Sequence, residues 1–138
     1  MPSDKTLRWS AFGFGLFFAV VVILGYIPSL NAGMDHVSMQ ASGEHMMMGL
    51  YMIGPADDVT HGLSALLFLV AAGASASWSR LALTAFGWYY AIDAAIYLVT
   101  GFIKADPVMH TIGLNMPHVV ISAIMLVLAY KGTRVVTA

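Results

Sequence analysis

The sequence predicts an all-α integral membrane protein, an up-down four-helix bundle, on three observations. Of the 138 residues, 59% are hydrophobic and only 9% are charged, whereas a soluble domain carries roughly 25% charged residues. The apolar residues are grouped into four stretches, each close to the ~20 residues that a helix needs to cross a bilayer. Basic residues gather at one end of these stretches. The stretches are 10–28, 59–78, 81–103 and 112–130.

Each stretch is predicted to be a helix, because backbone groups in lipid must be satisfied within their own segment and the alternating pattern of barrel strands is absent. At this length, residues 1–138 are expected to form a single transmembrane domain. The net charge of −1 gives no reason to expect nucleic-acid binding. The lack of cysteine excludes disulfides and thiolate metal sites.

The basic residues set the predicted orientation. With the amino terminus in the cytoplasm, only Lys104 lies outside, as the positive-inside rule favours. Both termini are therefore predicted to be cytoplasmic, in a bacterial inner membrane. The first stretch is long for a signal peptide, so a retained helix is expected. The cytoplasmic basic residues are Lys5, Arg8, Arg80, Lys131 and Arg134.

The two halves of the chain resemble each other. Ala11-Phe12-Gly13 in the first stretch matches Ala85-Phe86-Gly87 in the third. An Asx residue also lies three positions before a histidine at the start of the second and fourth stretches, as Asp58 before His61 and Asn115 before His118. A duplicated helical hairpin explains these matches, and chance similarity of short apolar segments is the alternative.

The starts of the second and fourth helices carry cap residues. Asp57 or Asp58 can cap the second helix and Asn115 the fourth, since their side chains accept orphaned amide hydrogens. Pro117 is tolerable in a first turn. His61 and His118 are then expected about one turn into their helices, at matching depth.

A long outer loop, residues 31–56, precedes the second helix. Its second half, 44–53, is rich in methionine and is predicted to be a short helix on the bilayer surface.

The histidines are the first candidates for chemistry, since all of them are predicted at the outer face. His61 and His118 could bind a metal ion together with Asp57 and Asp58, because neutral imidazole is the commonest protein metal ligand. Two histidines could also hold haem b. The alternative is that each imidazole bonds a backbone carbonyl or a lipid headgroup, since no tight ligand spacing is present.

Methionines in the outer loop form a second candidate site. Met34, His36, Met39 and His45 are spaced within one segment. Thioethers favour Cu(I), so copper binding is one interpretation. The other is that flexible methionines anchor the loop in lipid.

Asp93 is the acidic residue placed deepest in a predicted span. Intramembrane acids usually face a bundle interior and mark functional sites, so proton transfer or cation passage is one hypothesis. The other is a neutral, structural carboxyl bonded to neighbouring hydroxyls. Ser64 and Ser122, each about one turn deeper than a histidine, could extend a polar file from the outer surface towards Asp93.

No catalytic signature is present. The favoured function is a non-enzymatic accessory or structural subunit that packs in the bilayer against itself or other membrane subunits, through the many small residues of its helices. The alternatives are an outer-face metal-binding protein, with copper as one candidate, and a bis-histidine haem or quinone-linked electron carrier.

Gly49-Leu50-Tyr51, Asp57–His61 and Asn115–His118 together resemble the pattern of a widespread bacterial family of small four-helix membrane proteins, known only as a domain of unknown function. The resemblance implies the same helix order and a histidine near the start of the second and fourth helices. In that family a His-Asn pair precedes the first of these histidines, where this chain has Asp57-Asp58. The resemblance implies a structural class and no activity.

Overall fold

The computed structural model describes residues 3–27, 45–47 and 51–131. It is all-α apart from one small hairpin. In chain order the elements are α1 (Asp4–Gly25), β1 (His45–Met47), β2 (Tyr51–Ile53), α2 (Pro55–Ala74), α3 (Ala76–Ile103) and α4 (Val108–Tyr130). The chain forms two compact units, one of residues 12–70 and the other of residues 1–11 with 71–138.

Three helices of the described chain, α1, α3 and α4, are long and apolar enough to cross a membrane. These correspond to the first, third and fourth predicted spans. The second span corresponds to α2, which has 20 residues but carries Asp57, Asp58 and His61 in its first two turns. Helix α2 is not among the three candidate spans. Four crossings therefore remain a prediction.

The connection between α2 and α3 lies at Ser75, so α2 ends at Ala74, four residues before the predicted end. The Ser75 hydroxyl accepts a hydrogen bond from the Trp78 amide at 3.2 Å and caps α3. The Arg8 guanidinium donates to the carbonyls of Ala72 and Gly73, at 2.8 and 3.2 Å. These carbonyls belong to the last turn of α2, where a cation is favourable.

The fourth helix begins at Val108, so the predicted cap at Asn115 is wrong. Asn115 lies two turns inside α4, and its side-chain amide donates to the Thr111 carbonyl at 2.8 Å. Pro117 is inside the helix as well and cannot donate to the carbonyl four residues earlier. His118 consequently lies about three turns into α4 rather than one, since a helix turns every ~3.6 residues.

The methionine-rich segment contains a β-hairpin, which corrects the predicted surface helix. His45 pairs with Ile53, Met46 with Met52 and Met47 with Tyr51, in antiparallel register. The connecting residues 48–50 lie outside the described chain.

Helices α3 and α4 form an antiparallel hairpin. Gly101 meets Thr111 near the turn, and a Cβ atom at Gly101 would lie 2.6 Å from Thr111 Cγ2. Farther along the hairpin, a Cβ atom at Gly87 would lie 2.8 Å from Leu126 Cδ2. The two glycines therefore allow the helix backbones to approach closely, as small residues do in membrane helix pairs.

Candidate functional site

The hairpin of α3 and α4 brings together two of the predicted site residues, Asp93 and His118. Asp93 is about 15 Å from the α3 end nearer the turn, and His118 is about 15 Å from the start of α4, at 1.5 Å per residue. His118 is also about 18 Å from the other end of α4. Both side chains therefore lie near the middle of a hairpin whose two helices are long and apolar enough to cross a membrane.

The two side chains form a direct polar contact. Nδ1 of His118 and Oδ2 of Asp93 are 2.8 Å apart, and the side chains are 28% and 25% exposed. The Tyr90 ring lies under the imidazole, with its centroid 5.1 Å away and its plane tilted by 53°. Tyr90 itself is 1% exposed. Its buried ring supports one face of His118, and the pair remains partly open on another.

The contact has a definite chemical consequence. An ionised carboxylate only accepts hydrogen bonds, so an ionised Asp93 in this contact selects the His118 tautomer that carries its proton on Nδ1. In the neutral imidazole, Nε2 is then the acceptor or ligand nitrogen. A carboxylate on one ring nitrogen is the usual arrangement of a histidine that binds a metal through the other.

The two serines of the predicted polar file each donate a hydrogen bond to a carbonyl of their own helix. Ser122 is buried and donates to the Val119 carbonyl at 2.9 Å, and Ser64 is buried and donates to the Thr60 carbonyl at 2.7 Å. Both hydroxyls thus bond to their own helices, as serines in membrane helices commonly do. Asp93 instead contacts His118, a pairing that the sequence pattern does not predict.

In the unit of residues 12–70, His61 packs against Phe18. The ring centroids are 5.8 Å apart and the planes differ by 18°. Three residues before Phe18, a Cβ atom at Gly15 would lie 2.7 Å from Leu69 Cγ. Helices α1 and α2 are therefore in close contact near Gly15. His61 packs against Phe18, which lies one helical turn after Gly15.

The same arrangement occurs in the α3–α4 hairpin. Gly87 contacts Leu126, and Tyr90, three residues later, contacts His118. Leu69 and Leu126 each follow their histidine by eight residues. The buried positions match too: Leu7, Ala11, Gly15 and Phe18 correspond to Ser79, Leu83, Gly87 and Tyr90.

The duplicated hairpin stays a prediction, and these matched contacts define a register in which it can be tested. Gly15, not Gly13, is equivalent to Gly87, because Gly15 meets Leu69 whereas a Cβ atom at Gly13 has no atom within 4 Å. The short apolar match at Ala11–Gly13 was two residues out of register. In the corrected register, the position equivalent to Asp93 is Val21, so the first hairpin has the histidine without the acid.

The carboxylates at the start of α2 are engaged in structural bonds. Asp57 Oδ2 accepts from the Gly54 amide at 2.9 Å, the back half of a capping box. Asp58 Oδ2 accepts from the Tyr26 hydroxyl at 2.6 Å. This hydrogen bond, followed by burial and by repulsion from the Asp58 charge, raises the pKa of Tyr26 above its ordinary value of 10.0.

The sequence profile of the family described as "Domain of unknown function (DUF4383)" matches residues 8–131. The chain belongs to the DUF4383 family. The resemblance carried by the helix-start motifs to a family of unknown function is thereby confirmed. No curated protein and no solved structure gives a match.

The DUF4383 match covers both hairpins, so Asp93, His118 and His61 all lie within the family domain. The predicted metal site stays a prediction, because His61 and His118 belong to different units. Among residues 3–27, 45–47 and 51–131, no group of three His, Asp or Glu side chains could hold a metal ion.

The predicted copper site falls largely outside the described chain. Met34, His36 and Met39 lie in the segment 28–44, which the structure does not describe. His45 is placed in strand β1. Copper binding by these residues stays a prediction.

Proposed function

We propose that this DUF4383 protein is a non-enzymatic subunit of a membrane assembly, and that the Asp93–His118 pair forms part of its contact with a second subunit. The second subunit is another copy of the chain or a different membrane protein. One observation carries the proposal: a hydrogen-bonded acid–imidazole pair lies midway along a membrane-spanning hairpin and is about a quarter exposed.

Lipid is a poor cover for such a pair. An acidic residue at the centre of a membrane helix costs roughly 2.5–3.5 kcal/mol on insertion scales, so these residues normally face protein or a polar cavity. Polar groups of another helix, or those of an adjacent subunit, can hydrogen-bond to it and lower this cost. The open side of the pair is therefore best covered by polypeptide.

The surface beside Asp93 suits a protein contact. Tyr89 and Tyr97 lie four residues before and after Asp93 on α3, hence on the same helix face. Their rings are exposed by 47% and 57%. Tyrosine combines a large apolar ring with a hydroxyl that hydrogen-bonds, a combination that is enriched at interfaces. We call Tyr89, Asp93 and Tyr97 the Asp93 face.

Cysteine cross-linking tests this proposal directly, because the chain contains no cysteine. Tyr97→Cys places a thiol on the Asp93 face, and Val99→Cys places one at nearly the same depth on the opposite side of α3, since two residues turn a helix by about 200°. Oxidation in native membranes is expected to cross-link Tyr97→Cys to a neighbouring chain and to leave Val99→Cys largely uncrosslinked.

Substitution of the Asp93–His118 pair is the second part of the cross-linking experiment. Asp93→Asn with His118→Gln in the Tyr97→Cys background should reduce cross-linking if the pair contributes to the contact. Equal cross-linking of Tyr97→Cys and Val99→Cys, or a lone monomer in native mass spectrometry from mild detergent, would contradict the proposal.

Ligand binding through His118 is a second candidate function, favoured by the carboxylate on Nδ1. This arrangement orients Nε2 for a metal ion or for haem iron. Elemental analysis and an optical spectrum of one purified preparation test both forms. A metal or a Soret band that is lost in His61→Ala/His118→Ala and retained in His110→Ala would support it, and a preparation with negligible metal and no Soret band would exclude it.

A further inference from the structure

An open cavity of about 450 Å³ lies where the first turns of α1 and α3 meet. Asp4 and Leu7 contribute from α1, and Ser77, Arg80 and Leu81 from α3. Both helices are candidate membrane spans, so the cavity is at the level where a span leaves the hydrocarbon. This location is remote along α3 from Asp93 and independent of the proposed subunit contact.

The cavity carries two opposite charges that do not neutralise each other. Among residues 3–27, 45–47 and 51–131, neither the Asp4 carboxylate nor the Arg80 guanidinium forms an ion pair or a side-chain hydrogen bond. The nearby Arg8 behaves differently, because its guanidinium bonds to the carbonyls of Ala72 and Gly73. Asp4 and Arg80 therefore present one anionic and one cationic group to the same space.

The remaining lining is amphipathic. The exposed Ser77 offers a hydroxyl beside Arg80, while Leu7 and Leu81 provide an apolar wall. Trp9 and Trp78, in the same turns, have strongly exposed indoles. Tryptophans are enriched at the headgroup level of membranes. The surroundings of the cavity are thus those of a lipid headgroup with its first acyl carbons.

We propose that this cavity binds the phosphoethanolamine headgroup of an aminophospholipid. The phosphate lies against Arg80 and Ser77, since a guanidinium binds phosphate oxygens through paired N–H donors. The primary ammonium lies against Asp4, and the acyl chains pass along Leu81. A headgroup carrying both charges in fixed order matches the two charges of the cavity.

Related headgroups match less well. A glycerol headgroup has no ammonium for Asp4, so its phosphate meets Arg80 but leaves the carboxylate opposed to a neutral group. A choline headgroup has a positive charge but no N–H donor for the carboxylate. The cavity should therefore prefer ethanolamine over both.

Native mass spectrometry of the full chain tests the preference. The protein is released from mild detergent and titrated with phosphatidylethanolamine, phosphatidylcholine or phosphatidylglycerol of identical acyl chains. The expected result is that phosphatidylethanolamine binds about fivefold more tightly than the others, the scale of one partly exposed charge contact. Equal retention of all lipids by the wild-type chain would overturn the proposal.

Single substitutions assign the two charges. Arg80→Gln is expected to weaken binding of both phosphatidylethanolamine and phosphatidylglycerol, and Arg80→Lys to restore most of it. Asp4→Asn should lower only the affinity for phosphatidylethanolamine. Lys5→Gln, which removes a neighbouring charge outside the cavity, is the matched control. Asp4 and Arg80 variants that behave as Lys5→Gln does would overturn the assignment.

A competition with free phosphorylethanolamine separates the lipid from its soluble headgroup. Failure of the free headgroup at millimolar concentration to displace the lipid supports the lipid as ligand. Displacement at the lipid's own affinity would overturn it in favour of a soluble ligand.

Discussion

Asp93 and His118 lie at equal distances from the turn of one hairpin: Asp93 precedes the end of α3 by ten residues, and His118 follows the start of α4 by ten. Antiparallel helices of equal rise bring such positions to the same depth. Their 2.8 Å contact is therefore a consequence of hairpin length as well as of side-chain chemistry.

The Asp93–His118 contact should be measurable as a coupling free energy. Asp93→Asn and His118→Gln each leave one partner with a weaker or missing hydrogen bond, and the double variant removes both ionisable groups. Polar pairs in membrane helices give coupling energies that average about 0.6 kcal/mol and reach about 1.7 kcal/mol. A double-mutant cycle on unfolding in mixed micelles is expected to give a value in this range.

Asp106→Asn is the control for this cycle, since Asp106 is exposed at the turn of the same hairpin. Combined with His118→Gln, it should show additive effects. A coupling between Asp93 and His118 no larger than that control would mean that the contact does not form in the folded protein.

The two members of this pair could be identified from the sequence, but their pairing could not. An acid within an apolar stretch and a histidine near another one are visible in composition alone. The pairing depends on where α4 begins, and Asn115-Met116-Pro117 resembles a helix start so closely that the sequence predicts a cap at Asn115. Because α4 packs along α3, the helix begins at Val108 instead. His118 consequently lies at the same depth as Asp93.

The duplicated hairpin predicts that an acid at Val21 would face His61 as Asp93 faces His118. Val21→Asp should therefore destabilise the protein less than Val20→Asp, which places the same carboxylate on an exposed position of α1. The insertion cost of a membrane acid is roughly 2.5–3.5 kcal/mol, and bonding to an imidazole offsets part of it. Thermal unfolding in detergent compares the two variants.

His61→Ala completes this test. In the His61→Ala background, the advantage of Val21→Asp over Val20→Asp should disappear. Equal destabilisation by both aspartates in the presence of His61 would show that the two hairpins are not equivalent at this position.

The register of α1 against α2 predicts opposite effects of two glycine substitutions. Gly15→Ala places a Cβ atom 2.7 Å from Leu69 Cγ and 3.1 Å from the Ala65 carbonyl oxygen, and such overpacking costs about 1–3 kcal/mol. Gly13→Ala meets no atom within 4 Å and should stabilise the helix by roughly 0.5–1 kcal/mol. Chemical unfolding followed by circular dichroism distinguishes them, and Leu69→Ala should partly rescue Gly15→Ala.

These glycines also show how much of the fold the sequence contained. The number of helices in the described chain and their order could be recognised from the apolar stretches, whereas the duplicated hairpin stays a prediction. Gly13 and Gly15 are the same residue type two positions apart, so only the contact with Leu69 distinguishes which one matches Gly87 in the predicted repeat. The prediction of a surface helix in the methionine-rich segment was wrong because three-residue strands are too short to show an alternating pattern.

The hydrogen bond from Tyr26 to Asp58 predicts a pH dependence at the end of α1. The pKa of Tyr26 is raised by this bond, by burial and by the Asp58 charge, so the folded state favours the protonated phenol. The resulting stability is fully present below pH 10.0, the ordinary value, and is lost as pH rises through the raised pKa. Absorbance of phenolate near 295 nm, compared between the wild type and Tyr26→Phe, isolates the titration of this residue.

Asp58→Asn keeps an acceptor oxygen but removes the charge, and should return the Tyr26 pKa towards its ordinary value. A difference spectrum that titrates at the same pH with and without Asp58 would contradict the bond.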